Sequence, residues 1–197
     1  MEGFPQHVSM RDGSPVTLRG FEPRDGEALL EFYRALPEAD RLVMRDDVTR
    51  PEWLDRFNQN IASGESTSLL AEAGGAIVGE ATLYRPRYGW TAHVSEIRVN
   101  VAASHRRHGV GAALARALVQ VATSQGADKI VAMVPDNQPQ ACATFAKLGF
   151  VHEATLKGHV RDIHGFKHDL MVFANDVSHI WAAMEALTAD YSPTLGS

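Results

Sequence analysis

Cysteine is nearly missing: Cys142 is the single thiol in 197 residues. That excludes an internal disulfide framework and any cysteine-rich zinc module. It suits a reducing compartment, so a cytoplasmic location is the expectation. No apolar run approaches the roughly 20 residues that cross a bilayer, and the opening MEGFPQHVSM has no signal-peptide core. Membrane and secretory classes are set aside on that ground. Positive charge is scarce as well. With 19 Lys+Arg against 24 Asp+Glu the net charge is −5, the opposite of the basic surface a nucleic-acid binder presents. Internal repeats, low-complexity tracts and Pro/Ser-rich linkers are lacking too, which leaves one domain. What is present, 45% hydrophobic and 22% charged residues, is the composition of an ordinary soluble globular protein.

Residues 1–15 are polar and glycine-punctuated and read as a flexible arm, residues 16–175 as the folded domain, and residues 176–197 as a C-terminal helix and tail. Within the domain, alternation at 16–21 predicts a strand, and Pro23 opens a helix carrying Leu29, Leu30, Phe32, Tyr33 and Leu36 that Pro37 ends. Residues 38–50 are charged and irregular. Pro51 reopens a helix with Trp53, Leu54, Phe57 and Ile61 at helical spacing, and Gly64 stops it. Strands at 68–72 and 76–83 are joined by Gly74-Gly75, a tight hairpin signal. Then follow a strand (93–101), a strong helix (109–124), a strand (129–134), a helix (139–148) and strands at 151–156 and 167–174. A last helix at 177–187 places Ile180, Trp181, Met184 and Leu187 on one face, to pack on its own core or against a second copy in a homodimer. This order predicts a mixed α/β fold, a sheet with helices on its faces.

The informative stretch is Val99-Asn100-Val101, then Arg106-Arg107-His108-Gly109-Val110-Gly111-Ala112: a strand, a basic loop with two glycines, and a helix start. The first turn of a helix leaves backbone N–H groups unpaired and carries partial positive charge. Glycines let those groups close on phosphate oxygens, and arginines add charge-assisted hydrogen bonds. A dinucleotide fingerprint needs a third glycine and a place after the first strand, and a P-loop needs Gly-Lys-Ser/Thr. Neither is here. On this segment alone a phosphate cradle and a plain basic loop capping a helix both remain open.

The run Arg106-x-x-Gly109-x-Gly111-Ala112 resembles the acyl-CoA signature of the GNAT acetyltransferase superfamily, written Q/R-x-x-G-x-G/A. Downstream, Asn137-Gln138, Ala141, Phe145, Lys147 and Gly149-Phe150 resemble that family's N-x-x-A-x-x-x-Y-x-K-x-G-F region, and the likeness spans roughly residues 16–175. The resemblance implies a GNAT fold, a central mostly antiparallel sheet flanked by helices. It implies acetyl-CoA as co-substrate, held by Val99, Asn100, Val101, Arg106, Arg107, His108, Gly109, Val110, Gly111, Ala112 and Asn137. It further implies transfer of the acetyl group to a primary amine by direct attack in a ternary complex. The acceptor is a small-molecule amine or a protein lysine or N-terminus, with no nucleic-acid or membrane partner. Two positions depart from the pattern. The family's Asn falls on Gln138, with Asn137 one place early, and its Tyr falls on Phe145, which has no hydroxyl to protonate the departing thiolate. Either the thiolate leaves unaided or another residue substitutes.

Glu96 is the candidate general base. Strand alternation puts it on the same side as Arg98 and Asn100. In the Pat-type bacterial protein acetyltransferases, which this part of the chain resembles, the presumed catalytic Glu lies ten residues before the Arg/Gln of the CoA motif, as Glu96 precedes Arg106; this prefers Glu96 over Glu80. The alternative is a structural ion pair of Glu96 with Arg98 or Arg85. A function of another class also stands: a non-catalytic acyl-CoA-binding sensor or partner module, with a nucleotide phosphotransferase behind it. Cys142 reads as a bland core cysteine. The spacing of His152, His159, His164 and His168 builds no metal site, since the 164/168 pair falls in a strand. Tyr84, Tyr88 and Trp90 are expected along the acceptor side, with residues 38–50 as the acceptor-specificity loop.

Overall fold

The alternating segments become eight strands in the computed structural model, which describes residues 3–41 and 44–177. They are β1 (Gln6–Ser9), β2 (Pro15–Gly20), β3 (Ser66–Ala73), β4 (Ala76–Tyr84), β5 (Val94–Val101), β6 (Lys129–Pro135), β7 (Val151–Arg161) and β8 (Lys167–Asp176). One sheet holds them all, in the order β1-β2-β3-β4-β5-β6-β8-β7. Every pairing is antiparallel except β5 with β6. That parallel pair needs a crossover, which the predicted central helix α4 (Val110–Ser124) supplies.

Strand alternation divides the core between the two faces of the sheet. On one face Leu69, Ala81, Leu83 and Ile97 meet Leu114, Leu118 and Val121 of α4, with Phe145 and Phe150 completing the cluster. Phe145 belongs to the helix Pro139–Lys147 (α5). On the other face Leu70 meets Leu29, Leu30, Phe32 and Tyr33 of the helix Gly26–Ala35 (α1) and Trp53 and Phe57 of the helix Pro51–Ser63 (α3). Each fully buried Leu or Phe contributes about 1.5–3 kcal/mol, so both faces are needed to hold the sheet. α4 lies unusually close to β4. A Cβ on Gly79 would stand 2.9 Å from Leu114 Cδ1 and 3.2 Å from Asn100 O.

Three local readings change. Where a flexible arm was expected, β1 pairs with β2 from Gln6↔Leu18 to Ser9↔Pro15; four residues with a single apolar Val8 carry too little alternation to announce a strand. A one-turn helix, Glu38–Arg41 (α2), sits in the segment expected to be irregular, and it buries none of its residues. β7 runs to Arg161 rather than ending at residue 156, because Asp162 Oδ1 accepts from the N–H groups of His164 and Phe166, at 2.9 Å each, and so builds the turn into β8. The helix expected at 177–187 lies outside the described residues from 178 on. Among the described residues no helix is long and apolar enough to cross a membrane.

Candidate active site

The centre of the site is a strand edge. β5 and β6 pair only over Val94–Glu96 with Lys129–Val131, although β5 continues to Val101 and β6 stays paired with β8 to Pro135. The open edge of β5 can be assigned from alternation. His93 O accepts from Lys129 N–H on the β6 side, and Ala102 N–H donates to Val78 O on the β4 side. Backbone groups of successive residues point to opposite edges. Those of Val99 and Val101 therefore face the wedge that β6 vacates, together with the Ile97 carbonyl; the Ile97 N–H is used in the last parallel bridge, Glu96↔Val131. The Val101 carbonyl accepts from Arg106 Nε at 3.1 Å. The wedge opens into a cleft of about 1370 Å³.

At the end of β5 the chain turns into α4. Gly109 precedes the helix at φ +102°, a backbone conformation that L side chains rarely adopt, and Ala113 N–H is the residue bonded back to Gly109 O, at 3.0 Å. Helix geometry leaves the N–H groups of Val110, Gly111 and Ala112 without a carbonyl of their own turn. Val99, Asn100, Val101, Arg106, Arg107, Gly109, Gly111, Ala112 and Asn137 all line the cleft. Two expected binding side chains do not. Val110 is buried in the core beneath the turn, and His108 Nδ1 turns away to Asp12 Oδ2 at 2.6 Å. Gln138 lines the cleft beside Asn137, while its carbonyl caps α5 by accepting from Ala141 and Cys142.

The strand register brings a polar face under α1 and α3. Glu80 stands opposite Asn100, Thr82 opposite Arg98, and Tyr84 opposite Glu96. Glu96 is gripped on both oxygens: Arg98 Nε donates to Oε1 at 2.9 Å and Arg45 Nη1 lies 3.1 Å from Oε2. Arg98 is thus the ion-pair partner weighed above, whereas Arg85 donates to Gln125 O at 2.6 Å. Arg45 also donates from Nη2 to Met133 Sδ of β6 at 3.0 Å, so the 44–50 loop reaches across the mouth of the wedge.

Sequence reasoning passed over the constellation around Glu80. This carboxylate is 1% exposed. Oε1 accepts from the hydroxyls of Ser68 (2.8 Å) and Thr82, and Oε2 from Tyr33 OH (2.8 Å) and Asn100 Nδ2 (3.3 Å). Burial pushes its carboxyl above the usual range, and the same burial pushes the Tyr33 phenol well up and that of Tyr84 to about 12. Tyr84 lines the cleft with Arg98 stacked 4.4 Å over its ring. Tyr88 and Trp90, expected beside it, do not line the cleft: at 84% and 94% exposure they stand in the loop between β4 and β5. Phe145 is packed edge-on against Phe150. Cys142 is half-buried, its thiol 3.7 Å from Met171 Sδ, and burial pushes that thiol up.

The acetyltransferase (GNAT) family matches residues 28–150, the stretch that carries both the β5–α4 turn and α5. The chain belongs to the GNAT family. No curated protein matches the sequence closely enough to count as a relative. Solved GNAT structures share the fold at low identity. The GNAT domain of S. lividans PAT superposes with a TM-score of 0.72 at 20% identity, over 89% of this chain and 98% of that one. A ribosomal-protein-alanine N-acetyltransferase from Brucella melitensis gives 0.71 at 24% identity, over 81% and 98%. The Salmonella typhimurium yncA structure, a putative acetyltransferase solved with its cofactor acetyl-CoA, gives 0.71 at 21% identity, over 82% and 94%. Acetyl-CoA is the co-substrate of this family.

Proposed function

We propose that this GNAT chain is a cytoplasmic acetyl-CoA-dependent N-acetyltransferase that acts on a primary amine, with Glu96 as the general base. The observation that carries the reading is the open edge of β5 running straight into the Gly109–Ala112 turn. A phosphate cradle and a row of free backbone groups lie end to end, which is what a diphosphate with an amide-bearing arm requires. The residues fit that group. The N–H groups at the start of α4 would hold the diphosphate with Arg106 and Arg107. Val99 would pair with the amides of the arm as a neighbouring strand does. Val101 N–H would polarise the thioester oxygen. When bound, acetyl-CoA supplies an acyl thioester activated for attack.

An alkyl ammonium has a pKa of about 10 and must lose a proton before it is nucleophilic. Glu96 stands on the strand that orders the arm, within the cleft, and takes that proton directly or through water. The incoming ammonium exchanges with Arg45 as the second cation on Glu96; Arg98 stays to hold the carboxylate in place. Glu80 is not the base, since four donors already occupy its oxygens. Phe145 offers no proton, and a thiolate with a pKa of about 8.5 leaves unaided.

The test is CoA release, followed as free thiol, over a panel of amino acids, polyamines, aminoglycosides and lysine peptides. Glu96→Gln is expected to lower kcat by about 100-fold or more on the responding amine, with an unchanged affinity for acetyl-CoA. Full activity of that variant across pH 6 to 9 would overturn the base assignment. Tight CoA binding with no turnover on any amine would favour the sensor instead.

A further inference from the structure

The N-terminal β1–β2 hairpin does more than extend the sheet. Its turn, between β1 and β2, is pinned at Met10, which is buried in the main core and closes the turn by donating to Ser14 O at 2.9 Å. The next residue leans on the α4 turn: Arg11 N–H donates to His108 O at 3.0 Å. Asp12 then binds the same residue from the other side, Oδ2 to His108 Nδ1 at 2.6 Å, while its Oδ1 accepts from Ser14 N–H and hydroxyl. These bonds hold the Asp12 carboxyl down to about 2, so it is an anion whenever the protein is folded at neutral pH. The side chain of Arg11 is thereby laid over Gly109, its Cγ 3.9 Å from where a Cβ on that glycine would be.

Arg11 lines the same cleft as Arg106, Arg107 and Arg116. The two acids at this end are already committed, Asp40 to Arg106 at 2.5 Å and Asp12 to His108. Among the described residues Arg11, Arg107 and Arg116 have no acidic partner within ion-pair distance. Like charges gathered without counter-ions repel one another, and an anion between them relieves that repulsion.

We propose that Arg11 is a phosphate ligand of the bound acyl-CoA, presented by the N-terminal hairpin to the end of the cleft where α4 begins. This rests on the acetyl-CoA reading above and adds to it a residue from outside the 28–150 stretch that matches the family. The backbone of Arg11 is fixed by the hairpin before any ligand arrives, so little ordering is lost on binding. The phosphate is either the 3′-monophosphate of the ribose or the diphosphate; both present the same anionic oxygens to a guanidinium.

The experiment is calorimetric titration of CoA and of 3′-dephospho-CoA into the wild type, Arg11→Gln, and Arg24→Gln, an exposed arginine outside the cleft that controls for the change in net charge. Thermal melts of the ligand-free variants confirm equal folding. Arg11→Gln is expected to weaken CoA binding about tenfold, and Arg24→Gln less than twofold. A loss that disappears with 3′-dephospho-CoA assigns Arg11 to the monophosphate, and an equal loss with both ligands assigns it to the diphosphate. Unchanged CoA affinity in Arg11→Gln, with the wild type binding normally, overturns this inference and leaves the acetyl-CoA reading standing. Failure of the wild type to bind CoA overturns both.

Discussion

Glu80 and Glu96 stand on neighbouring strands of one polar face, yet their surroundings differ in kind. Glu96 has two guanidinium partners and access to the cleft. Glu80 has four neutral donors, and no cation makes an ion pair with it among the described residues. A carboxyl held that way ties α1, β3, β4 and β5 together through Tyr33, Ser68, Thr82 and Asn100. Glu80→Ala is expected to cost about 2–5 kcal/mol in urea unfolding, since it strands those donors in the interior. Glu80→Gln, which keeps the shape, is expected to cost less than half as much by the same measurement. From the amino-acid order one can place both acids on strands and see which shares a side with Arg98. Nothing in it brings Tyr33 to Glu80 or Arg45 to Glu96, because those partners are far apart in the chain and meet only when α1 and the 44–50 loop pack on the sheet.

Elements fare better than contacts. The helices at Gly26–Ala35, Pro51–Ser63 and Val110–Ser124 announce themselves through a proline at the start, a glycine at the end or an apolar stripe. The Gly74-Gly75 hairpin does so through its turn. β1 and α2 are too short to show a period. The early parting of β5 from β6 is equally hidden, since no residue type marks where a parallel pairing stops. Gly79 is where α4 and β4 come closest. Gly79→Ala is expected to push α4 outward against Leu114 and destabilise the fold by about 1–3 kcal/mol, read from denaturant midpoints. Because the same helix begins the proposed phosphate cradle, the affinity for CoA should fall with it. An unshifted midpoint would mean that α4 has room that the 2.9 Å approach denies.

For the molecule as a whole, the ionisable groups set a pH window. Arg19 holds the Asp25 carboxyl down, bonding both its oxygens at 2.6 and 2.8 Å, and His168 does the same for Asp162. Acids with depressed values stabilise the fold above their unfolded value of about 3.8, and that contribution is lost as pH falls through the folded value. Glu80 and His168 are shifted the other way, Glu80 by burial and His168 by its bond to Asp162. Their contributions are complete below the unfolded values of about 4.5 and 6.5 and are lost as pH rises through the folded ones. On these groups the melting temperature is therefore expected to be highest at about pH 4–4.5, to fall steeply below that and to decline above it, with a further loss beyond about pH 6.5. His168→Gln should flatten the decline above pH 6.5 and leave the acid limb steep because of Asp25; an unchanged alkaline limb would remove His168 from the account.

Among the described residues, three paired positions carry the backbone pairing between the β1–β5 half of the sheet and the β6–β8 half. The sheet is in that sense two blades on a short spine, with the α4 cluster packed across both. Whatever slides between the blades substitutes for the missing rungs, so occupancy should rigidify the entire sheet and slow amide exchange in Val99, Val101 and the facing end of β6 together. Catalysis by such a body asks its co-substrate to finish the architecture before it gives up its cargo.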